Sequence, residues 1–213
     1  MNGFERCAFS ALALAIGVAA AGCTGADPAD SPPVTEDGGS SLGSSSVRPT
    51  LTDARLQPPS QDNKYTKAGG RPAVVVDPCT WIPDETIHAI DLDPATRQRG
   101  RDLVAEYTFL TCDFAAPTGG EKWRLQVDSG NVSLDEVRQK YAGRTENVDI
   151  NGREAVRTVK NGEKTCAVDL RTSVGYFGVE AAYAAIPGAD TAAPCDKAME
   201  YARALEPVIG TGN

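Results

Sequence analysis

The sequence has few of the residues on which enzyme sites most often depend. Its 213 residues include one histidine, His88, and no C-x-x-C pair, so sites that need two imidazoles or the usual zinc-ligand spacing are excluded. No strand-to-helix elbow presents a nucleophilic serine, and a cysteine nucleophile would have to come from cysteines that we expect to be oxidised. We therefore predict a protein that has no catalytic residues, no metal and no cofactor.

Basic residues are also outnumbered. Lysine and arginine total 21 against 29 aspartates and glutamates, which gives a net charge of −8. Nucleic acids and anionic membrane surfaces are bound through basic patches. We therefore expect neither nucleic acid binding nor electrostatic attachment to a membrane.

A hydrophobic run long enough for a permanent membrane-spanning helix is missing. The apolar stretch 7–21 has 15 residues, and at about 1.5 Å per residue it spans about 22 Å of a hydrocarbon core of about 30 Å. It has the size of the apolar region of a secretion signal. The small residues 20–22 directly precede Cys23, and this arrangement resembles a bacterial lipobox, in which the cysteine becomes the first residue of the mature chain and carries diacylglycerol and often a third acyl chain such as palmitate.

This resemblance predicts a signal peptide at residues 1–22 and lipidation at Cys23. The lipid would hold the protein on the extracytoplasmic face of the cell membrane. Two alternatives remain open: cleavage without lipidation, which would release a free secreted protein, and an uncleaved N-terminal anchor.

The composition changes after the cysteine. From residue 24 to about residue 72 the chain is rich in Pro, Gly, Ser, Asp and Thr. Isolated apolar residues without a sustained period cannot bury enough surface to offset the loss of chain entropy. We predict a lipidated cysteine and disordered tether at residues 23–72, with ends about 40 Å apart as a flexible coil, and a disulfide-bonded globular domain at residues 73–213.

Four cysteines fall in the predicted domain: Cys79, Cys112, Cys166 and Cys195. An even number in an exported chain predicts two disulfides, and the sequence alone does not choose among the three pairings that four cysteines allow. Alternation in the strands around Cys112 and Cys166 points both side chains into a core, whereas Cys79 precedes a short helix and Cys195 opens a longer one. We favour Cys79 with Cys112 and Cys166 with Cys195, so that each strand cysteine ties a helix to the sheet.

Hydrophobic periodicity predicts an α+β fold, in which an antiparallel sheet of about six strands is packed by N-terminal, middle and C-terminal helices. Ser133 with Glu136 forms a capping pattern at the middle helix, and Asn-Gly pairs at 151–152 and 161–162 indicate tight hairpin turns. The predicted helices begin near residues 83, 133 and 194, and the predicted strands lie at about 104–114, 122–128, 147–150, 153–159, 164–170 and 175–183.

The second predicted strand alternates clearly between apolar and polar residues. Trp123, Leu125 and Val127 are predicted to face one way. The other face of this strand is predicted to carry the polar side chains of Lys122, Arg124, Gln126 and Asp128.

Five short segments occur in an order that resembles a known family: V-D-P-C at 76–79, C-D-F at 112–114, N-G-R-E-A at 151–155, T-C-A-V-D-L at 165–170 and P-C-D-K-A at 194–198. They are similar to an actinobacterial lipoprotein family of unknown function, whose members have a lipobox, a polar tether and a domain that starts with Asp-Pro-Cys and contains two cysteine pairs. The chain departs from that family at Phe114, where Trp is more usual, and at Trp81-Ile82, where paired Leu is common. The family has no established catalytic residues to transfer, and the likeness to a PsbP/Mog1-like sandwich is fold analogy alone.

These observations favour a non-catalytic binding or accessory lipoprotein of the cell envelope, with a lipid, a glycan or an envelope protein as its partner. The sequence leaves the ligand-binding residues unknown. Gly175 and Gly178 interrupt the last strand, which indicates close packing or a bulge rather than room for a ligand. The aromatic residues whose exposure would mark an interaction surface are Trp81, Tyr107, Phe109, Tyr176 and Tyr201.

The alternative is an enzyme that acts on cell-wall glycan or lipid through two carboxylates facing each other across a cleft. Asp77, Asp91 and Asp93 are available carboxylates, but each lies in a turn-like or capping context, so we expect structural roles for them. His88 lies on a short helix beside apolar neighbours, where we expect a side chain without chemistry.

Overall fold

The computed structural model describes residues 51–118, 123–160, 165–183 and 193–213. The predicted signal peptide, the predicted lipidation site Cys23, the predicted tether up to residue 50 and the Asn-Gly turn at 161–162 lie outside these ranges. Within them, no helix combines the length and the apolar character needed to cross a membrane.

The described chain forms a mixed α+β domain around one sheet, the class that the sequence predicted. A 3-10 turn at Ala54–Leu56 is followed by helices α1 to α5 at Lys64–Lys67, Pro78–Trp81, Asp84–His88, Leu134–Lys140 and Ala193–Ile209. Strands β1 to β8 lie at Asp93–Arg99, Leu103–Val104, Thr108–Ala115, Trp123–Gly130, Thr145–Ile150, Arg153–Lys160, Thr165–Arg171 and Tyr176–Tyr183.

Each pair of neighbouring strands is antiparallel, and the order across the sheet is β1-β3-β4-β8-β7-β6-β5, with β2 pairing with β3 outside this path. The consecutive strands β5, β6 and β7 form hairpin neighbours, as predicted. β8 is last in the chain but lies between β4 and β7, so it brings side chains that are far apart in sequence onto one surface.

One face of the sheet is apolar and packs against α5. Val127, Val179 and Val168 are cross-strand neighbours on β4, β8 and β7, and all three are fully buried. Burying a side chain of this size stabilises a fold by about 1.5–3 kcal/mol. α5 continues to Ile209, and Val208 and Ile209 are also buried in this core.

β1 was not predicted, and the predicted strand at about 104–114 is divided into β2 and β3, so the described sheet has eight strands where the sequence predicted about six. β1 reads D-P-A-T-R-Q-R and shows no apolar alternation. Because it lies at the edge of the sheet, it tolerates Pro94 and a register shift between Asp93 and Gln98. β2 has only two residues, too few to leave a periodic pattern.

Local turn and cap signals correspond to observed geometry. Asn151 and Gly152 have φ values of 54° and 88°, as the tight turn between β5 and β6 requires. At α4, the Ser133 side chain accepts a hydrogen bond from the backbone N–H of Glu136, and the backbone N–H of Ser133 donates to the Glu136 carboxylate at 2.9 Å. Both signals were sufficient to predict these features from the sequence.

Both disulfides are present in the pairing that strand alternation favoured. Cys79 with Cys112 ties α2 to β3, and Cys166 with Cys195 ties β7 to α5. Each bond therefore joins a helix to the sheet.

Residues 51–72, which we call the strap, lie against the domain, whereas their composition predicts that they belong to the tether. Leu56 packs against the core, and the Arg71 guanidinium donates to the Glu136 carboxylate at 3.0 Å. The Gln61 side chain exchanges two hydrogen bonds with the backbone of Val74 at 2.8 and 2.9 Å. Apart from Leu56, the strap is held by individual polar side chains that bond to residues elsewhere in the chain. Contacts of this kind leave no periodic pattern in the sequence.

Candidate functional site

The face of the sheet opposite the core carries polar side chains, and we call it the polar face. On β8, Tyr176, Gly178, Glu180 and Ala182 lie on this face because they alternate with the buried residues Phe177, Val179 and Ala181. On β4, the predicted polar residues Arg124, Gln126 and Asp128 lie on the same face.

Four polar side chains form a row across the polar face, and we call them the polar row. Gln98 on β1 pairs with Asp113 on β3, Asp113 with Gln126 on β4, and Gln126 with Glu180 on β8. Neighbouring strands are about 4.8 Å apart, so the row extends over about 14 Å. Carboxylates and amides alternate along it, which places hydrogen-bond acceptors and donors side by side.

The polar row forms the floor of a groove with a volume of about 470 Å³. The adjacent cross-strand positions on one side are Ala115, Arg124 and Ala182, and the two alanines leave the space open. The lining also includes Thr96, Phe114 and Leu125. The groove is therefore wide enough for a small polar group and has mixed charge.

Asp113 is a half-buried carboxylate of this groove. Among the hydrogen bonds and ion pairs of the described ranges, none involves the Asp113 side chain. Burial raises the pKa of Asp113, the positive charge of Arg124 acts to lower it, and repulsion from Glu180 adds to the increase.

Next to the groove lies a second group of residues, which we call the inner cluster: the ionisable side chains of Asp128, Lys160 and Asp169 and the phenol of Tyr176. Asp128 and Asp169 are neighbours of Gly178 on opposite sides, and a Cβ at Gly178 would lie 2.9 and 2.8 Å from their Oδ1 atoms. The Tyr176 hydroxyl donates a hydrogen bond to Asp128 at 2.6 Å. The absence of a side chain at Gly178 thus lets two carboxylates approach each other over the sheet.

Burial and charge shift the proton affinities of the inner cluster. Burial raises the pKa of Asp169 to about 7, against the attraction of Lys160. Burial raises the pKa of Asp128 as well, while the hydrogen bond from Tyr176 opposes the increase. For Lys160, burial acts to lower the pKa, but attraction by Glu180, Asp169 and Asp128 outweighs it, and the net pKa is raised.

Glu180 connects the groove to the inner cluster. Its carboxylate lines the groove, and its Oε2 accepts a hydrogen bond from Lys160 Nζ at 2.9 Å. α4 contributes Leu134 and Val137, which pack on Val156 beside Tyr176. α4 therefore covers the side of the polar face near the inner cluster, and the side near β1 stays open as the groove.

The residues singled out from the sequence lie elsewhere. Asp77 caps α2, Asp91 is in a turn with φ of 59°, and the Asp93 carboxylate accepts from the backbone N–H of Ala95. These are the structural roles that we expected. His88 ends α3 and is exposed.

The five aromatic candidates do not form one exposed patch. Tyr107 is 42% exposed and lies under the Arg71 guanidinium, whereas Tyr201 is buried in the core. Phe109 and Tyr176 are half-buried ring neighbours, and Trp81 packs on the core.

Sequence reasoning missed the groove residues because most of them are ordinary polar residues of strands. The alternation in β4 did place Arg124, Gln126 and Asp128 on one face. The partners Asp113 and Glu180 could not be assigned, since β8 pairs with β4 across more than 40 residues of sequence. Gly178 shows the expected close packing, and its nearest neighbours include two carboxylates.

The fold and the groove define a disulfide-bonded α+β domain with a polar site on the sheet surface. The chain belongs to the family described as Protein of unknown function (DUF3558), whose model matches residues 18–207. This match includes Cys23 and the whole predicted tether. No curated protein and no solved structure matches the chain.

Proposed function

We propose that this protein is a lipid-anchored binding protein of the cell envelope, and that its groove holds a small polar ligand. The observation that carries the proposal is the polar row, Gln98, Asp113, Gln126 and Glu180, which forms the floor of an open groove of about 470 Å³. Binding sites are concave and contain a few well-placed polar groups that orient the ligand. The groove has both features.

The anchor part of the proposal rests on the sequence. The small residues before Cys23 resemble a lipobox, and the family match begins at residue 18, so Cys23 lies within the matched region. A diacylglycerol and an additional acyl chain give stable membrane attachment. The actinobacterial lipoprotein resemblance supports the same location, the extracytoplasmic face of the membrane.

The geometry favours binding over the carboxylate enzyme that we considered as the alternative. Asp128 and Asp169 do face each other, as such an enzyme requires. However, Asp169 is only 4% exposed, and α4 packs over this side of the sheet. A substrate in the groove would meet Asp113 and Glu180, which are separated by Gln126 in the polar row.

The anchor is tested with Cys23→Ala in the full chain, expressed in a host with a matching envelope. Detergent-phase partitioning should move the variant to the aqueous phase, while the wild type stays in the detergent phase. A variant that remains in the detergent phase would show that lipid on Cys23 is not the anchor.

The groove is tested by filling it. Ala182→Phe places a ring in the groove, and Ala95→Phe, at an exposed position of β1 outside the groove lining, is the matched control. Polar lipids and soluble wall glycan fragments are added separately, and thermal unfolding is recorded. A ligand raises the Tm of the folded chain, so one fraction should raise the Tm of the wild type and of Ala95→Phe but not of Ala182→Phe. Equal shifts in all three chains would reject the groove as the binding site.

A further inference from the structure

The charges in and beside the groove compensate each other. Glu180 accepts a hydrogen bond from Lys160 Nζ at 2.9 Å. Burial raises the pKa of Asp113, and the positive charge of Arg124 opposes the increase, so these two groups also attract each other. Among the described residues at this site, two positive charges thus offset two negative ones. A charged ligand would lose hydration without meeting an uncompensated opposite charge, so the groove favours a ligand without net charge.

The described residues of the groove offer little apolar surface to a ligand. Phe114 and Leu125 belong to its lining, but they are only 2% and 1% exposed and pack in the core. Ala115 and Ala182 contribute no more than methyl groups. A lipid tail is bound by burying apolar area. The groove is therefore poorly suited to an acyl chain.

Several side chains of the groove have hydrogen-bonding groups that face solvent. Gln98, Gln126 and Arg124 are exposed, and within the described ranges none of the three bonds to another side chain or to a backbone group. An amide both donates and accepts, a guanidinium donates, and a carboxylate accepts. A hydroxyl group also donates and accepts, so it can pair with each of these groups. A ligand with many hydroxyls therefore suits this mixed set.

The polar row presents its groups at regular intervals. It crosses four adjacent strands, β1, β3, β4 and β8, with one side chain from each. The row extends over about 14 Å, because neighbouring strands are about 4.8 Å apart. A ligand that repeats hydroxyl groups along its length can bond to successive members of the row. A chain of sugar rings has this property.

We propose that the groove binds a neutral glycan chain laid across the strands along the polar row, an inference that rests on the proposed binding function and names its ligand class. The sugar hydroxyls bond to the side chains of Gln98, Asp113, Gln126 and Glu180. Gln126 lies between Asp113 and Glu180 in the row, so it contacts the middle of the chain. Gln98 is on the edge strand β1 and contacts one end.

Calorimetric titration of the oxidised full chain, in a detergent without sugar groups, tests the ligand class. The probes are neutral tetrasaccharides of glucose, mannose, galactose and N-acetylglucosamine, together with their monosaccharides. At least one tetrasaccharide should bind tenfold or more tightly than its monosaccharide, because it can form more hydrogen bonds along the row. Tetrasaccharides of galacturonic acid and of glucosamine, which carry negative and positive charges, should bind at least tenfold more weakly than the best neutral one.

Sugar rings occur in free glycans and in glycolipid headgroups, and one further probe separates these sources. The butyl glycoside of the best-binding tetrasaccharide carries a short apolar chain and stays in water. It should bind with the same affinity as the free tetrasaccharide, since the groove has little apolar surface to receive the chain. Tenfold tighter binding of the butyl glycoside would assign the groove to a glycolipid and contradict the proposal.

Two variants test the polar row. Gln126→Ala and Gln98→Ala should each weaken binding of the tetrasaccharide about three- to tenfold, as expected for the loss of a hydrogen bond or two. Both side chains are exposed, so both variants should keep the Tm of the wild type. Gln139→Ala is the matched control, because Gln139 is an exposed glutamine of α4 outside the groove lining. It should keep the affinity of the wild type.

Three results would overturn the inference: no binding of any neutral tetrasaccharide at millimolar concentration, tighter binding of a charged tetrasaccharide, or wild-type affinity in both Gln126→Ala and Gln98→Ala. These failures are distinguishable from failure of the proposed function. A charged or apolar ligand that raises the Tm of the wild type, and that Ala182→Phe blocks, would reject the glycan while supporting the groove.

Discussion

Gly178 determines how closely the two aspartates of the inner cluster approach each other. A Cβ at this position would lie 2.8 Å from Asp169 Oδ1, 2.9 Å from Asp128 Oδ1 and 2.9 Å from Tyr176 Cε2. These contacts are too short, so Gly178→Ala must separate the side chains. Overpacking of this kind destabilises a fold by about 1–3 kcal/mol, and urea unfolding should show a loss of this size.

The control for that variant is Gly212→Ala, because a Cβ at Gly212 would have no neighbour within 4 Å. Its stability should equal that of the wild type. If Gly178→Ala were as stable as Gly212→Ala, the two carboxylates would not be packed against the glycine as described.

The raised pKa of Asp169 predicts that the stability of the fold depends on pH. In the unfolded chain an aspartate has a pKa of about 3.9, whereas in the fold burial raises the pKa of Asp169 to about 7. At a pH between these two pKa values, the folded state therefore keeps the proton of Asp169, whereas the unfolded state has released it. The contribution of Asp169 to stability is fully present below about pH 4 and is lost as pH rises to about 7.

Asp169→Asn replaces this carboxyl with a neutral amide, so it should remove the loss of stability that occurs as the pH rises. Urea unfolding at pH 4.5, 6 and 7.5 should show that the variant gains stability relative to the wild type as pH rises, by about 2–4 kcal/mol in total. Parallel pH profiles for the two proteins would mean that Asp169 is ionised in the fold at all three pH values.

At the scale of elements, Asp77 connects helix α2, strand β1 and the strap. Its carboxylate accepts from the backbone N–H groups of Cys79 and Thr80 at 2.8 and 3.0 Å, and it pairs with Arg99 at 2.6 Å. Arg99 in turn donates to the backbone carbonyl of Leu56 in the strap at 3.1 Å. This network explains why an aspartate precedes Pro78-Cys79.

Asp77→Asn keeps the helix cap but removes the charge opposite the half-buried Arg99. The remaining pair of Arg99 with Asp102 moderates the loss, which we expect to be about 2 kcal/mol. Hydrogen exchange should also become faster in the strap, at residues 51–72. Asp53→Asn, which affects only the exposed pair with Arg55, should change neither quantity. Unchanged exchange in Asp77→Asn would mean that the network does not hold the strap.

The elements show what the sequence could and could not reveal. The Asn151-Gly152 turn, the Ser133 cap and the inward-facing cysteines depend on a few adjacent residues, so local patterns predicted them. The strap and β1 were missed because polar residues with long-range partners hold them. The groove was missed for a related reason: it depends on the register of β8 against β4, and no local pattern contains that register.

At the scale of the whole molecule, two disulfides join the helices to the sheet. The bonded cysteines are separated by 33 residues in Cys79–Cys112 and by 29 in Cys166–Cys195. Closing a loop of this length is worth about 3–4 kcal/mol in the chain-entropy model. Replacing both cysteines of either pair by serine should lower the free energy of unfolding by about that amount, as measured by urea denaturation, and losses below about 1 kcal/mol would contradict a structural role.

The central claim is that a lipid-anchored chain carries a ligand in the groove of its polar face. Native mass spectrometry of the full chain, purified in oxidised form from a host with a matching envelope, tests it most directly. We predict a diacylglyceryl mass on the N-terminal fragment that begins at Cys23, and a further non-covalent mass that Ala182→Phe abolishes and Ala95→Phe retains. A chain without lipid on Cys23, or a non-covalent mass that persists in Ala182→Phe, would contradict the account.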